Sequence, residues 1–246
     1  MRVALFVPCY IDQFYPQVAI ATLELLEKLG VSVEVPAGQT CCGQPMANAG
    51  FERDALPVME HFVEVFSGYD QVMGPTGSCV YHVRKHYDIL PQSAAVVALR
   101  AHTVDLVQFL AAHFPDIAFE QPFPHRVGLH QSCHGQRGLR MAQSSERMEA
   151  DFSLQRDLLQ QVPGLELVAL DRRDECCGFG GTFAVSEAAV SARMGIDRLD
   201  DHLRHQAEVL TGGDMSCLMH LAGLARRQRA PLRVMHLAEI LNAAKR

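Results

Sequence analysis

Four of the eight cysteines in this sequence occur as two adjacent pairs, and a glycine follows each pair. One pair lies at residues 41–42 and the other at residues 176–177. The other four cysteines stand singly, one before and one after each pair. The two resulting sets are Cys9, Cys41, Cys42 and Cys79, and Cys133, Cys176, Cys177 and Cys217. Cysteine thiolates bind metals and undergo redox reactions, so each set predicts a metal or redox site.

Cysteines occur in hydrophobic cores, disulfides, zinc sites and iron–sulfur clusters, and the spacing of the cysteines distinguishes these four possibilities. Buried apolar cysteines would lie inside strands and helices, whereas these are predicted to lie in loops beside glycines. Adjacent cysteines close only a small strained disulfide ring, and a reducing compartment opposes the other pairings. Zinc usually takes its thiolates from close Cys-x2-Cys pairs. An iron–sulfur cluster offers several irons, so neighbouring cysteines can bind neighbouring irons, and the pattern favours such a centre.

The elements that must position these cysteines are written twice along the chain. Each half begins with a short apolar strand that ends at a cysteine, RVALFVPCY in the first half and HRVGLHQSCH in the second. An amphipathic helix and a strand then lead to the Cys-Cys-Gly motif. A second helix follows, at about residues 52–66 and 186–205, and a third strand leads to the last cysteine of the set. This order predicts an α/β fold of two pseudo-symmetric, Rossmann-like halves, each with a parallel sheet and right-handed crossovers.

The boundary between the halves is predicted in the segment 113–125, which contains three prolines and no clear periodicity. The first repeat would then cover residues 1–120 and the second residues 121–246. Loops at the carboxyl ends of parallel strands gather at one edge of a sheet, where ligands bind. We therefore expect the four cysteines of each half to converge in space. Residues 139–150 fit either a loop or the start of a helix.

Composition and charge restrict the kinds of function. The chain has 246 residues, 48% of them hydrophobic, which is enough to bury a large core. Its net charge of -6 provides no basic face for nucleic acid or anionic lipid. The apolar run at the amino terminus is too short for a signal peptide, and no later run is long enough to span a membrane. These features predict a cytoplasmic protein that binds neither nucleic acid nor a membrane.

Five segments carry a resemblance to a known family: CCGQPMANAG, GPTGSCVYHV, CCGFGGTFAV, DMSCLMHLAG and VMHLAEIL. They are similar to segments of the cysteine-rich CCG family, and the likeness covers essentially the whole chain. The family includes the cluster-binding subunit of heterodisulfide reductase and the iron–sulfur subunit of glycolate oxidase, and the likeness is strongest to its lactate-utilisation members.

The resemblance implies a cofactor and partners. It implies one or two iron–sulfur clusters of the 4Fe-4S type per chain, bound by the eight cysteines, and electron transfer from L-lactate to an acceptor. The implied partners are a ferredoxin-like iron–sulfur subunit and a third lactate-utilisation subunit. Because exposed iron is oxidised in air, an aerobic preparation that contains zinc would not exclude a cluster.

Two histidines mark a departure from the heterodisulfide reductase type of motif. That type ends each motif with Cys-x2-Cys and supplies five thiolates, whereas His82 and His220 replace the last cysteine here. Four thiolates suit a cubane cluster, or a larger cluster with an imidazole as fifth ligand. Both histidines lie one helical turn after a cysteine, so each is a candidate either for ligation or for a hydrogen bond to sulfur. His130 and His134 flank Cys133 without counterparts beside Cys9 and are predicted to contact the ligands from outside or to be exposed.

Three functions remain open from the sequence. The first is an electron-transfer subunit of an L-lactate-oxidising oxidoreductase. In this function the substrate is oxidised on a partner, because GFGG lacks the spacing of a dinucleotide-binding motif and the sequence shows no flavin motif or acid–base pair. The second is a cluster-dependent thiol or disulfide reductase subunit of the heterodisulfide reductase type, which the missing fifth cysteine disfavours. The third is a zinc-stabilised binding module. Iron together with acid-labile sulfide would exclude the third.

Overall fold

Each half of the chain forms its own four-stranded sheet in the computed structural model, which describes residues 2–244. The strands of the first half are β1 (Val3–Leu5), β2 (Val33–Glu34), β3 (Gln71–Gly74) and β4 (Thr103–Asp105). Those of the second half are β5 (Arg126–Leu129), β6 (Glu166–Leu167), β7 (Val209–Gly212) and β8 (Arg233–His236). All neighbours are parallel, in the orders β2-β1-β3-β4 and β6-β5-β7-β8. The predicted α/β fold of two pseudo-symmetric parallel halves is confirmed.

The helices of the first half are α1 (Cys9–Phe14), α2 (Pro16–Lys28), α3 (Gln44–Asn48), α4 (Glu52–Phe66), α5 (Gly77–His86), α6 (Ala94–His102) and α7 (Leu106–His113). Those of the second half are α8 (Leu154–Leu159), α9 (Phe183–Ser186), α10 (Ala188–Arg204), α11 (Met215–Gln228) and α12 (Leu237–Ala244). Side chains at the strand ends help to start them: the Asp105 carboxylate caps α7 in a capping box, and the Asp214 carboxylate caps α11. Within residues 2–244, no helix combines the length and apolar character needed to cross a bilayer.

The sequence pattern predicts three strands in each half and misses the fourth strand of each sheet. β4 and β8 have only three and four residues and run directly into α7 and α12. Because no turn residue separates strand from helix at either place, the strand residues merge in the sequence with the helix that follows. Residues 139–150 form a loop, closed by an isolated antiparallel bridge between Ala142 and Ser153.

The two halves share a hydrophobic core instead of packing as separate bodies. A single buried cluster contains side chains from both sheets and from the helices between them, including Leu25 and Leu26 of α2 and Leu237 and Leu241 of α12. This burial accounts for the apolar faces of α2 and α12, which would otherwise be exposed to water. The shared core therefore fixes the position of one half relative to the other, and with it the relative position of the two cysteine sets between them.

Candidate metal centre

The first set of cysteines follows the carboxyl ends of three neighbouring strands. Cys9 comes after β1, Cys41 and Cys42 lie in the loop after β2, and Cys79 lies in the first turn of α5 after β3. The Sγ atoms of Cys9 and Cys41 are 3.9 Å apart. Cys42 continues the chain of contacts, because its thiol hydrogen-bonds to those of Cys41 and Cys79. The structure therefore brings together the four cysteines that the sequence pattern groups.

The second set has the same arrangement at the other sheet. Cys133 follows β5 and precedes a π-helical turn at His134–Gly138, whereas Cys217 lies in the first turn of α11 after β7. Hydrogen bonds between thiols join Cys133 to Cys176, Cys176 to Cys177, and Cys177 to Cys217. The order of contacts along each set is the same in both halves. All eight thiols are free.

The prediction that every cysteine lies in a loop is wrong for the four single cysteines. Cys9 is the first residue of α1, Cys133 has helical backbone angles at the start of the turn that continues to Gly138, and Cys79 and Cys217 lie within the first turns of α5 and α11. The reason is that a helix begins within two or three residues of the end of each strand, which leaves no room for a separate loop. The thiols therefore lie at helix amino termini, where the unpaired backbone N–H groups favour negative charge.

The glycine of each Cys-Cys-Gly motif has a left-handed backbone that few other residues adopt. Gly43 has φ 89° and Gly178 has φ 85°. This turn directs the backbone N–H of each glycine to the first cysteine of its pair: Gly43 N lies 3.4 Å from Cys41 Sγ, and Gly178 N lies 3.4 Å from Cys176 Sγ. Each motif therefore places one amide dipole against sulfur.

One thiol in each set is strongly acidic. Hydrogen bonds from the thiols of Cys42 and Cys9 lower the pKa of Cys41 to about 3. In the second set, hydrogen bonds from Cys133 and Cys177 lower the pKa of Cys176 to about 2. The donating thiols show the opposite effect, and the pKa of each is raised. Each set therefore already carries a thiolate near neutral pH, and the thiolate is the form that binds metal.

The two histidines at equivalent positions have different surroundings. His82 is fully buried, and its Nε2 atom has no hydrogen-bond partner within the described chain. Burial lowers its pKa to about 4, with the nearby His86 adding to the effect. His220 is half-buried, and its Nε2 lies 3.3 Å from the carbonyl oxygen of Ser191. The Nε2 atom of His82 is therefore buried without a partner among the described residues, whereas His220 already uses that nitrogen.

A third histidine lies closer to the cysteines than its sequence position indicates. His130 is 2% exposed, and one of its ring nitrogens lies within 4.8 Å of Sγ of both Cys177 and Cys217. His134, by contrast, is half-buried, with its Nδ1 atom 4.0 Å from Cys133 Sγ. Both histidines therefore lie beside cysteines of the second set, and neither is exposed. The sequence feature that could have identified His130 as a residue near the cysteines is its position directly after a buried strand.

The two cysteine sets open onto one cavity of about 320 Å³ between the halves, and all eight cysteines line it. The rest of the wall is largely apolar and includes Tyr10, Phe179 and Met215. The carboxylate of Asp214 fixes the two halves beside the cavity, because it caps its own helix α11 and also accepts a hydrogen bond of 2.7 Å from the backbone N–H of Ser78 in α5. The sites are thus neighbours across a shared opening.

The donor atoms present fit an iron–sulfur cluster in each half. Four thiols in contact supply the ligand number that a 4Fe-4S cluster takes, and the amide of a motif glycine points at sulfur in each set. A single zinc ion could bind to a smaller group of side chains in the second half, which consists of His130, Cys177 and Cys217. That group would leave the other two thiols of its set unused.

Comparison with known proteins agrees with this geometry. The family model described as "Cysteine-rich domain" (CCG) matches residues 3–84 and 127–222. Lactate utilization protein A from Halalkalibacterium halodurans is 39% identical over 254 residues, covering 100% of this chain and 98% of the relative. The protein of that name from Geobacillus thermodenitrificans is 40% identical over 247 residues, covering 98% of this chain and 99% of the relative.

Solved structures add little. Glutamate racemase isoform RacE1 from Bacillus anthracis aligns with a TM-score of 0.37 and 7% identity, covering 98% of this chain and 78% of that chain. A similarity this low carries no inference about function.

Proposed function

The chain belongs to the CCG cysteine-rich domain family, and on that premise we propose that it is the iron–sulfur electron-transfer subunit of a complex that oxidises L-lactate. Each half would hold one 4Fe-4S cluster on its four cysteines. The lactate part of the proposal is supported by the full-length likeness to lactate utilization proteins.

The observation that carries the cluster assignment is the repetition of one contact pattern. Two separate sheets each bring a single cysteine, an adjacent pair and a second single cysteine into contact, in the same order. Buried cysteines that only fill space have no reason to repeat both the order and the glycine N–H contact. A cluster-binding ligand set in each half accounts for both features.

The chain's own residues have limited tasks in this function. A bound cluster supplies one-electron transfer. The thiolates would hold it, and the amides of Gly43 and Gly178 would stabilise negative charge on the sulfurs that they face. The apolar wall formed by Tyr10, Phe179 and Met215 would limit the access of water to both sites. Proton transfer from lactate is assigned to a partner subunit.

The proposal extends to partners, compartment and organisation. The partners are a ferredoxin-like iron–sulfur subunit and a third lactate-utilisation subunit, and the compartment is the cytoplasm. The first repeat is assigned to residues 1–120 and the second to residues 121–246, in keeping with sheets that lie within residues 3–105 and 126–236. Limited proteolysis should cut between α7 and β5, and a first cut inside either sheet region would contradict this division.

The function is tested by anaerobic purification and reconstitution. The protein should contain iron and acid-labile sulfide, and L-lactate together with the two partner subunits should bleach its cluster absorbance. The matched control carries Cys42→Ser and Cys177→Ser together, and it should show neither signal. A cluster-loaded protein that stays oxidised in the complete mixture would contradict the electron-transfer assignment.

The shared cavity favours one second candidate, a cluster-dependent thiol or disulfide reductase. Its position between the two thiol sets would place a small disulfide beside both sites. The same preparation separates the two functions. Under this second function, a small disulfide would reoxidise the dithionite-reduced protein rapidly, and L-lactate with the partner subunits would leave the oxidised clusters unchanged.

A further inference from the structure

One position beside the cysteine sets differs in kind between the two halves. Phe6 follows β1, and its backbone N–H donates to the carbonyl of Met73 in β3 at 2.8 Å. His130 follows β5, and its backbone N–H donates to the carbonyl of Thr211 in β7 at 2.7 Å. The two residues therefore occupy the same place in the repeated fold. An apolar ring fills this place in the first half and an imidazole fills it in the second.

The helices packed against this position differ in the same way. In the first half, the rings of Phe62 and Phe66 of α4 lie 4.8 and 5.7 Å from the ring of Phe6. In the second half, Arg198 of α10 is fully buried, and its Nε donates to Nδ1 of His130 at 3.3 Å. An aromatic cluster in one half is thus replaced by a hydrogen-bonded polar cluster in the other.

The contact with Arg198 determines which nitrogen of His130 carries the hydrogen. A guanidinium group can only donate hydrogen bonds, so Nδ1 must be the accepting nitrogen and the hydrogen of the neutral ring must lie on Nε2. An imidazole ring that accepts a hydrogen bond at Nδ1 is the neutral form. Arg198 is itself anchored by Asp201 at 3.2 Å and by the carbonyl of Leu129 at 3.3 Å.

The Nε2–H group of His130 has no partner within the described chain, although the residue is buried. A buried donor without an acceptor costs free energy, so its retention calls for an acceptor at that point. The Sγ atoms of Cys177 and Cys217 lie within 4.8 Å of a ring nitrogen of His130. Thiolate or cluster sulfur at the second centre would supply such an acceptor.

We propose that His130 donates a hydrogen bond from Nε2 to sulfur at the second centre, held in that tautomer by Arg198, and that this bond raises the reduction potential of the second centre. The inference rests on the proposed function, since it requires a cluster at that centre. His130 is a positioning residue and not a ligand, because ligation through Nε2 would place the hydrogen on Nδ1, against the guanidinium. Hydrogen bonds to cluster sulfur raise the potential by stabilising the added electron.

A redox titration followed by electron paramagnetic resonance tests the proposal on the anaerobic protein. The variant His130→Phe gives the second half the residue of the first and should make reduction of one centre at least tenfold less favourable, about 59 mV for a one-electron step. Iron and sulfide contents should stay unchanged. His130→Gln keeps an N–H donor at a similar reach and should restore most of the potential. His102→Phe changes an exposed histidine at the end of α6 and serves as the control.

A measurement on the unmodified sequence covers the case in which a variant fails to fold. Electron–nuclear double resonance of protein labelled with 15N-histidine should show the weak nitrogen coupling expected through a hydrogen bond and an exchangeable proton near the cluster. A strong coupling typical of a bound nitrogen, or an unchanged potential in His130→Phe, would overturn the role of His130 and leave the proposed function intact. Protein without iron and sulfide would overturn both.

Discussion

Substituting alanine for the glycine of each Cys-Cys-Gly motif should affect the two halves unequally. A Cβ atom at Gly178 would lie 2.6 Å from the carbonyl oxygen of Ser191 and 2.7 Å from Cβ of Met194. At Gly43 the nearest atom would be Cγ of Met59, at 3.3 Å, which is the middle of a flexible side chain. Only Gly178→Ala therefore requires the backbone of α10 to move.

The size of the difference follows from two contributions. Both alanines would adopt the left-handed backbone, which costs about 1–2 kcal/mol. Gly178→Ala adds an overpacking cost of about 1–3 kcal/mol against α10. The carbonyl of Gly178 also accepts a hydrogen bond of 2.7 Å from the Ser191 hydroxyl, and movement of α10 would strain it. We expect a loss of about 2–5 kcal/mol in the free energy of unfolding for Gly178→Ala and about 1–2 kcal/mol for Gly43→Ala.

Urea unfolding of the reduced, metal-free proteins measures this difference directly. The two variants are matched in chemistry and in motif position, so each serves as the control for the other. In addition, Gly178→Ala should lower the iron content more than Gly43→Ala does, because the clash displaces the loop that carries Cys176 and Cys177. Equal losses in the two variants would refute the reasoning from the distance to Ser191.

Three further substitutions test other parts of the structure by the same unfolding assay. Burial raises the pKa of Asp105 from 3.8 to about 7, and the charge of Asp214 raises it further. Between about pH 4 and pH 7 this carboxyl is ionised in the unfolded chain and protonated in the folded one, so the free energy of unfolding falls as the pH rises and stays level above pH 7. Asp105→Asn should therefore gain on the order of 3 kcal/mol at pH 7.5 and little at pH 4, and an equal effect at both pH values would contradict this. Asp214→Ala removes a helix cap and the bond from Ser78 and should cost about 2 kcal/mol, whereas a neutral result would mean that this carboxylate does not join the halves. Tyr87→Phe removes the hydroxyl that donates to the Cys42 carbonyl at 3.0 Å and should cost about 1 kcal/mol, with unchanged stability as the contrary outcome.

The grouping of the cysteines follows from the sequence because parallel strands carry it. A repeat of strand, helix and cysteine places each thiol at the carboxyl end of a strand, and the sheet then brings these ends to one edge. Neither the contact between Cys9 and Cys41 nor that between Cys133 and Cys176 required knowledge of how the two halves pack. The strands β4 and β8 were not predicted because each continues directly into a helix, with no turn residue to mark where the strand ends.

The role of His130 and the shared cavity depend on contacts that local sequence does not encode. The guanidinium that orients His130 lies 68 positions later, in a helix that carries no cysteine. The cavity exists because α2 packs on α12 and Asp214 bridges to Ser78, which turns the two sheet edges toward each other. A pattern that is repeated within each half contains no information about the relation between the halves.

Iron and acid-labile sulfide in protein purified without oxygen test the two-centre proposal most directly. The unmodified protein should contain about eight irons with matching sulfide, and Cys42→Ser and Cys177→Ser should each retain about four. Such halving by either variant would mean that the two cysteine sets hold separate clusters. Zinc without sulfide, unaffected by the exclusion of oxygen, would contradict the redox function and leave a metal-stabilised scaffold.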